Sequence, residues 1–345
     1  MHRSDERGLT EMARILSGVQ PTGNTHLGNY VGAFRQWVEQ QHEFDAYYCV
    51  VDLHAITLPY QPEELRSRTL EMAAILLACG LDPEVCTLFV QSHVPEHTEL
   101  AWLLNHIATV GELRRMTQFK AKAGQGGEGA LPVGYFNYPV LQAADILIYQ
   151  ADRVPVGEDQ RQHLELTRDM AERFNARFGR TFVVPQAYIP KVGGRVMDLQ
   201  RPDQKMSKSG ASPAGRIELL DPPEVIRRKV RGAVTDSGRE IVARPDKPAI
   251  TNLLELYSVV SGKAIGELEE AYAGRGYGEL KSDLAEALIA FIAPVRERYL
   301  KLRADGERLA DILETGAAKA QAVARETLAL AKDRMGLLLR ARGAG

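Results

Sequence analysis

The hydrophobic positions of the first ninety residues switch between two periods. Arg14–Val19 reads as a short strand and runs into the turn residues Gln20-Pro21-Thr22-Gly23-Asn24. Beyond the turn, Leu27, Tyr30, Val31, Phe34, Trp37 and Val38 recur at helical spacing. Ala46–Val51 is β-rich and predicts a second strand. Pro62-Glu63-Glu64 then opens a helix with Leu65, Thr69, Met72, Leu76 and Cys79 on one face, and Gly80 closes it. Cys86–Gln91 predicts a third strand. Strand, helix, strand, helix, strand is the rhythm of a parallel sheet with crossover helices.

From Gln91 to about Tyr149 the pattern is helical, interrupted by a Gly-rich stretch, Ala123–Gly134, expected to be mobile. Strand-like pieces return around Arg153–Val156, Thr181–Val184 and Arg195–Met197. From Pro222 onward almost everything reads as helix. One long example carries Leu280, Leu284, Leu288 and Phe291 on one face, with Pro294 expected to check it. The chain therefore reads as an α/β domain with a helical domain behind it.

Composition narrows the class. The 345 residues suffice for two modest domains, and 45% apolar with 26% charged residues is ordinary for a globular protein. The longest apolar runs, such as Ala73–Cys79, are far too short to span a bilayer. Residues 1–11 are a polar string with no apolar signal core, so a flexible extension, a cytoplasmic location and no membrane partner are expected. A net charge of −2 means that a nucleic-acid partner would need a local basic patch. Cys49, Cys79 and Cys86 read as buried reduced thiols, and no metal motif is present. His93 and His97 stand four apart, but without a third ligand they read as surface or core histidines.

Two segments carry chemistry. Gln20–Asn29 joins the first strand to the first helix, where doubly wound sheets bind nucleotides. In it Gly28 lets a ligand approach the backbone, and His26 and Asn29 can donate to phosphoryl oxygens. The same pair would also suit a simple helix-capping turn. Lys205-Met206-Ser207-Lys208-Ser209 places two ammonium groups and two hydroxyls between Pro202 and Pro213. That composition suits a polyphosphate whose charge changes during reaction, or a solvated basic loop.

Together these two segments resemble the class I aminoacyl-tRNA synthetases. Gly18–Gly23 with Gly28-Asn29-Tyr30, Val51–Ile56, Gly111-Glu112, Met116–Lys120, Gln142–Leu147, Val154–Gln160 and Ala233–Ser237 look more narrowly like the bacterial tryptophanyl-tRNA synthetase family. The likeness runs from about Ile15 to the final helix. It implies a Rossmann-like nucleotide-binding domain over residues 12–199 plus 304–345, with a helical insertion at about 92–150 that forms a dimer interface. It further implies a helical anticodon-binding domain over 200–303 that carries the Lys-Met-Ser-Lys-Ser loop at its start. The implied reaction joins L-tryptophan to ATP and then to tRNA(Trp), with Mg²⁺ bound through the ATP phosphates, in a homodimer.

Residue roles follow from the same resemblance. ATP falls to Gln20, Pro21, Thr22, His26, Gly28, Asn29, Gly157, Glu158, Asp159, Val196 and the signature residues Lys205, Met206, Ser207, Lys208 and Ser209, with Lys122 as a further contact. Tryptophan falls to Gly18, His54, Tyr138, Gln142, Asp145 and Gln160. Tyr138, Gln142 and Asp145 are spaced i, i+4 and i+7, so they share one helix face. On spacing alone Asp145 would point to solvent or pair with an arginine. The family's indole-recognising aspartate falls on it, and a carboxylate suits an indole N–H, which can only donate. Asp145→Asn is therefore expected to be milder than Asp145→Ala. Gln142 stands where methionine is common and brings polar atoms that need partners. Acidic residues at 158 and 159 also suit ordinary helix capping. The basic cluster Arg227, Arg228, Lys229 and Arg231 reads as a tRNA contact or a solvated helix face.

Overall fold

The computed structural model describes residues 12–155, 157, 160–189, 196–207 and 212–339. Strands β1 (Arg14–Val19), β2 (Asp45–Val50), β3 (Thr87–Val90), β4 (Arg153–Pro155) and β5 (Gln186–Tyr188) form one parallel sheet in the order β3-β2-β1-β4-β5. β2 and β3 are buried along nearly their whole length, because helices cover both faces. Side chains alternate between those faces. Ile15, Tyr48, Val50 and Leu88 pack beneath the helical run Leu27–Gln40, the helix Pro62–Cys79 and part of the C-terminal helices. Leu16, Tyr47, Cys49 and Phe89 pack against the helices Glu96–Leu104, Val133–Ile148 and Arg161–Phe178.

The chain builds outward from β1 to β3 and then returns to place β4 on the other side of β1. The sheet order thus reverses between β1 and β4, and ligands bind outside the carboxyl ends of strands at such a point. The last helix, Gly306–Arg334, packs along β3 so closely that a Cβ at Gly316 would stand 1.8 Å from the Leu88 carbonyl oxygen. The helix Tyr277–Ala304 packs on Pro223–Arg231, Pro248–Ser261 and Pro62–Cys79, and Arg298 Nε donates to the Ala78 carbonyl at 2.6 Å.

Three elements differ from the sequence expectation. Thr181–Val184 is not a strand. Asn175 Oδ1 accepts from Thr181 N and Phe182 N at 2.8 and 2.9 Å, and Gln150 Oε1 accepts from Val183 N at 2.8 Å. Side chains therefore satisfy this backbone, and the ladder starts only where Gln186 N donates to the Asp152 carbonyl. Pro294 does not end its helix, which continues to Ala304. Burial of Leu288, Ile292 and Val295 on both sides of it outweighs the one lost backbone bond. Within Ala123–Gly134, a helix extends to Gly126 and a 3-10 turn follows over Glu128–Ala130. Of Arg195–Met197, Arg195 lies outside the described residues, and Met197 forms an isolated antiparallel bridge to Lys205. Residues 1–11 lie outside them as well.

Candidate active site

A cavity of about 640 Å³ opens at the β1–β4 switch point. Its wall brings together Gly18, Gln20, Gly28, His54, Tyr138, Gln142, Asp145, Gly157, Gln160, Val196 and Lys205. Sequence reasoning had drawn these from positions nearly two hundred residues apart. Lys122 stands exposed on the helix Thr117–Gly126 and is not part of the wall. Glu158, Asp159, Lys208 and Ser209 lie outside the described residues.

The turn after β1 is anchored from two directions. Asn29 Oδ1 accepts from the His26 backbone N–H at 3.1 Å, so the capping role is real and leaves the Asn29 amide N–H groups for a ligand. Leu27 N donates to the Ile217 carbonyl at 2.8 Å and Leu219 N to the Thr25 carbonyl at 2.9 Å. The segment leaving the signature loop is thereby stitched to the turn that begins the first helix. Gly28 lies under the His26 ring, where an added Cβ would come within 3.0 Å of Nδ1.

The signature loop rises from a short antiparallel pairing. Met206 N donates to the Val196 carbonyl at 3.0 Å and Asp198 N to the Gln204 carbonyl at 2.8 Å. Asp198 Oδ1 accepts from Gln200 N and Arg201 N, at 2.8 and 3.0 Å, and its carboxylate sits where a Cβ on Gly215 would be, 2.1 Å away. Met206 is buried, whereas Lys205 is exposed on the cavity wall. The loop root is thus rigid and its ammonium end free to meet a ligand.

The helix Val133–Ile148 carries the other half of the site. Asp145 is 4% exposed, yet among the described residues no arginine meets it. Its Oδ1 accepts from His97 Nδ1 at 2.6 Å and Gln91 Nε2 at 2.8 Å, and its Oδ2 accepts from His54 Nε2 at 2.7 Å. Burial pushes its pKa up, but the hydrogen bonds from His54 and His97 outweigh burial and hold the carboxyl well below the usual carboxylate range. An ionised carboxylate offers about four lone-pair directions, and donors among the described residues fill three. The remaining one is on Oδ2.

Elsewhere on the wall, the Tyr138 hydroxyl donates to Gln118 Oε1 at 2.5 Å and lies 2.8 Å from His163 Nε2. Burial pushes the Tyr138 phenol well above its usual value, so it stays protonated. Gln142 Nε2 donates to Gln160 Oε1 at 3.2 Å, which gives the unusual glutamine a partner within the site. Cys49 also faces the cavity, its thiol pushed well up by burial and by the nearby Asp145 and Asp52 carboxylates.

The family model for tRNA synthetases class I (W and Y) matches residues 9–293. A tryptophan–tRNA ligase of Streptomyces avermitilis is 58% identical over 333 residues, covering 95% of this chain and 98% of that protein. One from Bacillus anthracis is 49% identical over 94% of this chain and 98% of its own. The solved tryptophanyl-tRNA synthetase of Mycoplasma pneumoniae superposes with a TM-score of 0.84 at 38% identity, covering 95% and 99% of the two chains. That of Campylobacter jejuni, crystallised with ADP and tryptophan, gives 0.83 at 32%, covering 94% and 100%. The chain belongs to the tryptophan–tRNA ligase family.

For a tRNA ligase the basic cluster needs a correction. Lys229 is buried and its Nζ donates to Asp221 Oδ2 at 2.6 Å, so it braces the helix Pro223–Arg231 and presents no charge to a phosphate. Arg227 is held by a two-point pair with Glu286, at 2.6 and 3.0 Å. Arg228 and Arg231 remain exposed. Among the described residues no group of three His, Cys, Asp or Glu side chains could hold a metal ion, and no helix is long and apolar enough to cross a membrane.

Sequence reasoning missed Gln91, His97, Gln118 and His163 as site residues. Gln91 had a legible signal, since it follows β3 directly and strand ends at this pole of the sheet carry the site. His97 and His93 read as surface or core histidines rather than metal ligands, and nothing in the sequence tied His97 to Asp145. His97 is the core one, fully buried, and His93 the surface one, exposed.

Proposed function

We propose that this family member activates L-tryptophan with ATP and transfers it to tRNA(Trp), acting as a homodimer in the cytoplasm. The observation that carries the reading is Asp145: a buried, ionised carboxylate with one acceptor direction left, in the cavity that also holds Gly28 and Lys205. An indole N–H is a lone donor and fits that vacancy. Tyr138, Gln142 and Gln160 offer polar atoms on the wall for the amino acid's ammonium and carboxylate groups. The substrate carboxylate oxygen attacks the α-phosphorus of ATP, the bond to the β-bridging oxygen breaks, and pyrophosphate leaves. No general base is needed, because the nucleophile is already an anion, and catalysis reduces to alignment and stabilisation of charge on the leaving pyrophosphate. Lys205 and Lys208 of the signature loop and the Asn29 amide supply that stabilisation, joined by His26. Mg²⁺ would be held through the ATP phosphates rather than by protein ligands and would supply charge neutralisation there. In the second step a terminal ribose hydroxyl of the tRNA attacks the acyl carbonyl and AMP leaves.

We assign residues 200–303 to anticodon recognition and about 92–150 to the subunit interface. ATP–pyrophosphate exchange tests the reading. Exchange should require tryptophan and should be negligible with tyrosine. Exchange of equal rate with tyrosine, or none with either, would overturn it.

A further inference from the structure

Behind Asp145, on the side away from the cavity, lies a second set of polar groups with no role in the chemistry above. His97 is fully buried and bridges two partners: Nδ1 lies 2.6 Å from Asp145 Oδ1 and Nε2 lies 2.7 Å from the Tyr149 hydroxyl. Neither His97 nor Tyr149 lines the cavity, so neither reaches a substrate. Tyr149 is itself held firmly. It is fully buried, stacks on Tyr47 at 4.9 Å, and meets Phe89 edge-on at 5.5 Å. Arg14 Nη1 donates to its carbonyl at 2.7 Å.

The hydrogen-bond arithmetic selects one arrangement. A carboxylate only accepts, so His97 must carry a proton on Nδ1. Among the described residues His97 is the hydrogen-bond partner of the Tyr149 hydroxyl. If Nε2 were also protonated, the tyrosine proton would be buried without an acceptor, at a cost. With Nε2 bare, Tyr149 O–H donates to it and every group is satisfied. The phenol is well placed to remain the donor, since burial and nearby acids raise its pKa far above the usual value. The carboxylate thus fixes the proton on Nδ1, the tyrosine keeps Nε2 an acceptor and the ring neutral, and the histidine fills Oδ1 of Asp145.

We propose that His97 and Tyr149 are positioning residues for amino-acid specificity, which saturate Asp145 Oδ1 so that a single acceptor direction, on Oδ2, faces the substrate. Without the relay, Oδ1 has an open lone pair and the carboxylate can turn. A ring that lacks the N–H then loses less relative to tryptophan, because the acceptor is no longer aimed. The inference rests on the assignment of Asp145 to the indole N–H.

The experiment measures kcat/KM for tryptophan and for its benzothiophene analogue, whose sulfur replaces the N–H. It is run on wild type, Asp145→Ala, His97→Leu, His97→Asn and Tyr149→Phe, with the KM for ATP as control. His97→Leu should lower the tryptophan-to-analogue ratio by roughly 5- to 10-fold, part of the worth of one hydrogen bond to a charged group, because Gln91 and His54 still hold the carboxylate. Asn places its amide N where Nδ1 was, so His97→Asn should recover most of that ratio although the contact to Tyr149 is gone. Tyr149→Phe should lower the ratio by about 3-fold, because Nε2 loses its donor and the ring its outer anchor. The KM for ATP should hold throughout. Should His97→Leu fail to fold, the Asn and Phe variants still decide, because the relay predicts a smaller loss for Asn than for Phe. Equal loss for both substrates in the His97 and Tyr149 variants would make the pair mere core packing and overturn the proposal. A wild-type ratio in those variants, with the ratio lost in Asp145→Ala, would overturn it too while leaving the Asp145 assignment standing. A wild-type ratio in Asp145→Ala would remove that assignment, and the proposal with it.

Discussion

Replacing Asp145 by asparagine is the most informative single change. An amide swaps one oxygen for a donor, and in solution that would be mild. Here three protein donors already converge on the two oxygens, His97 and Gln91 on Oδ1 and His54 on Oδ2. If the NH₂ takes the Oδ1 position, it faces two donors, and relief requires both a flipped Gln91 and a His97 with its proton moved to Nε2. If it takes the Oδ2 position, it faces His54 and points a donor at the incoming indole N–H. Either way the acceptor aimed at the substrate is lost or a buried donor is orphaned. The sequence-based expectation that asparagine is the mild variant is therefore reversed. Asp145→Asn should reduce kcat/KM for tryptophan about as much as Asp145→Ala, roughly 5- to 150-fold for a lost hydrogen bond to a charged acceptor. The two variants should part in the analogue. With alanine the benzothiophene substrate is nearly unaffected, whereas with asparagine it also suffers from the rearranged pocket. Alanine should cost more in stability, roughly 3 kcal/mol or more, because it strands three buried donors at once. Steady-state kinetics with both substrates and urea denaturation give the comparison. An asparagine variant within about 2-fold of wild type on tryptophan would refute the saturation argument.

The same network fixes the acid side of the pH profile. Asp145's native pKa is depressed below its unfolded value, so its ionisation stabilises the fold above about pH 4, and that contribution fades only as pH falls through the native value. The tryptophan-to-analogue ratio should therefore be flat from about pH 8 down to pH 5, so far as this carboxyl sets it. A ratio that collapses with a midpoint near pH 6 would show that the carboxyl is not held down by its histidines.

Three further outcomes are expected. Lys205→Ala and Lys208→Ala should each slow adenylate formation in single-turnover assays by at least about 10-fold while tryptophan titrations stay within 2- to 3-fold, and the reverse pattern would make the loop a binding element only. Charge reversal at Arg228 and Arg231 should impair aminoacylation and spare pyrophosphate exchange, whereas Lys229→Ala should leave Asp221 uncompensated and lower stability by roughly 3 kcal/mol; a stable Lys229→Ala that loses only tRNA charging would contradict its structural role. Gly215→Ala drives a methyl into the Asp198 carboxylate and should cost about 2 kcal/mol in unfolding free energy together with exchange activity, which urea denaturation and the exchange assay read; full activity would show that the loop root tolerates displacement.

What could be read from the sequence divides along the range of the forces involved. β1 through β4 follow from local alternation and turn chemistry, and the two segments proposed to bind ATP are each contiguous, so both were legible. Thr181–Val184 has strand composition but was never a strand, because Asn175 and Gln150 satisfy its backbone from elsewhere in the chain. Asp145 was legible as an anomaly, an acid on an apolar helix face, yet its partners were not. Gln91 and His97 come from a segment some fifty residues earlier and meet it only once β3 and the helix Glu96–Leu104 are packed. Lys229 lies between these extremes. Ile226, Lys229 and Val230 share the i, i+3, i+4 spacing of a buried face, and Asp221 stands at the start of the same helix. The periodicity that placed Leu280, Leu284 and Leu288 in the core would have placed Lys229 there too, had the charge not been taken as a sign of exposure. A buried polar residue obeys the same spacing as its apolar neighbours, and only its partner is set by the fold. Periodicity should therefore decide burial before residue type does, and an ionisable residue on the buried face marks where a tertiary partner must be sought.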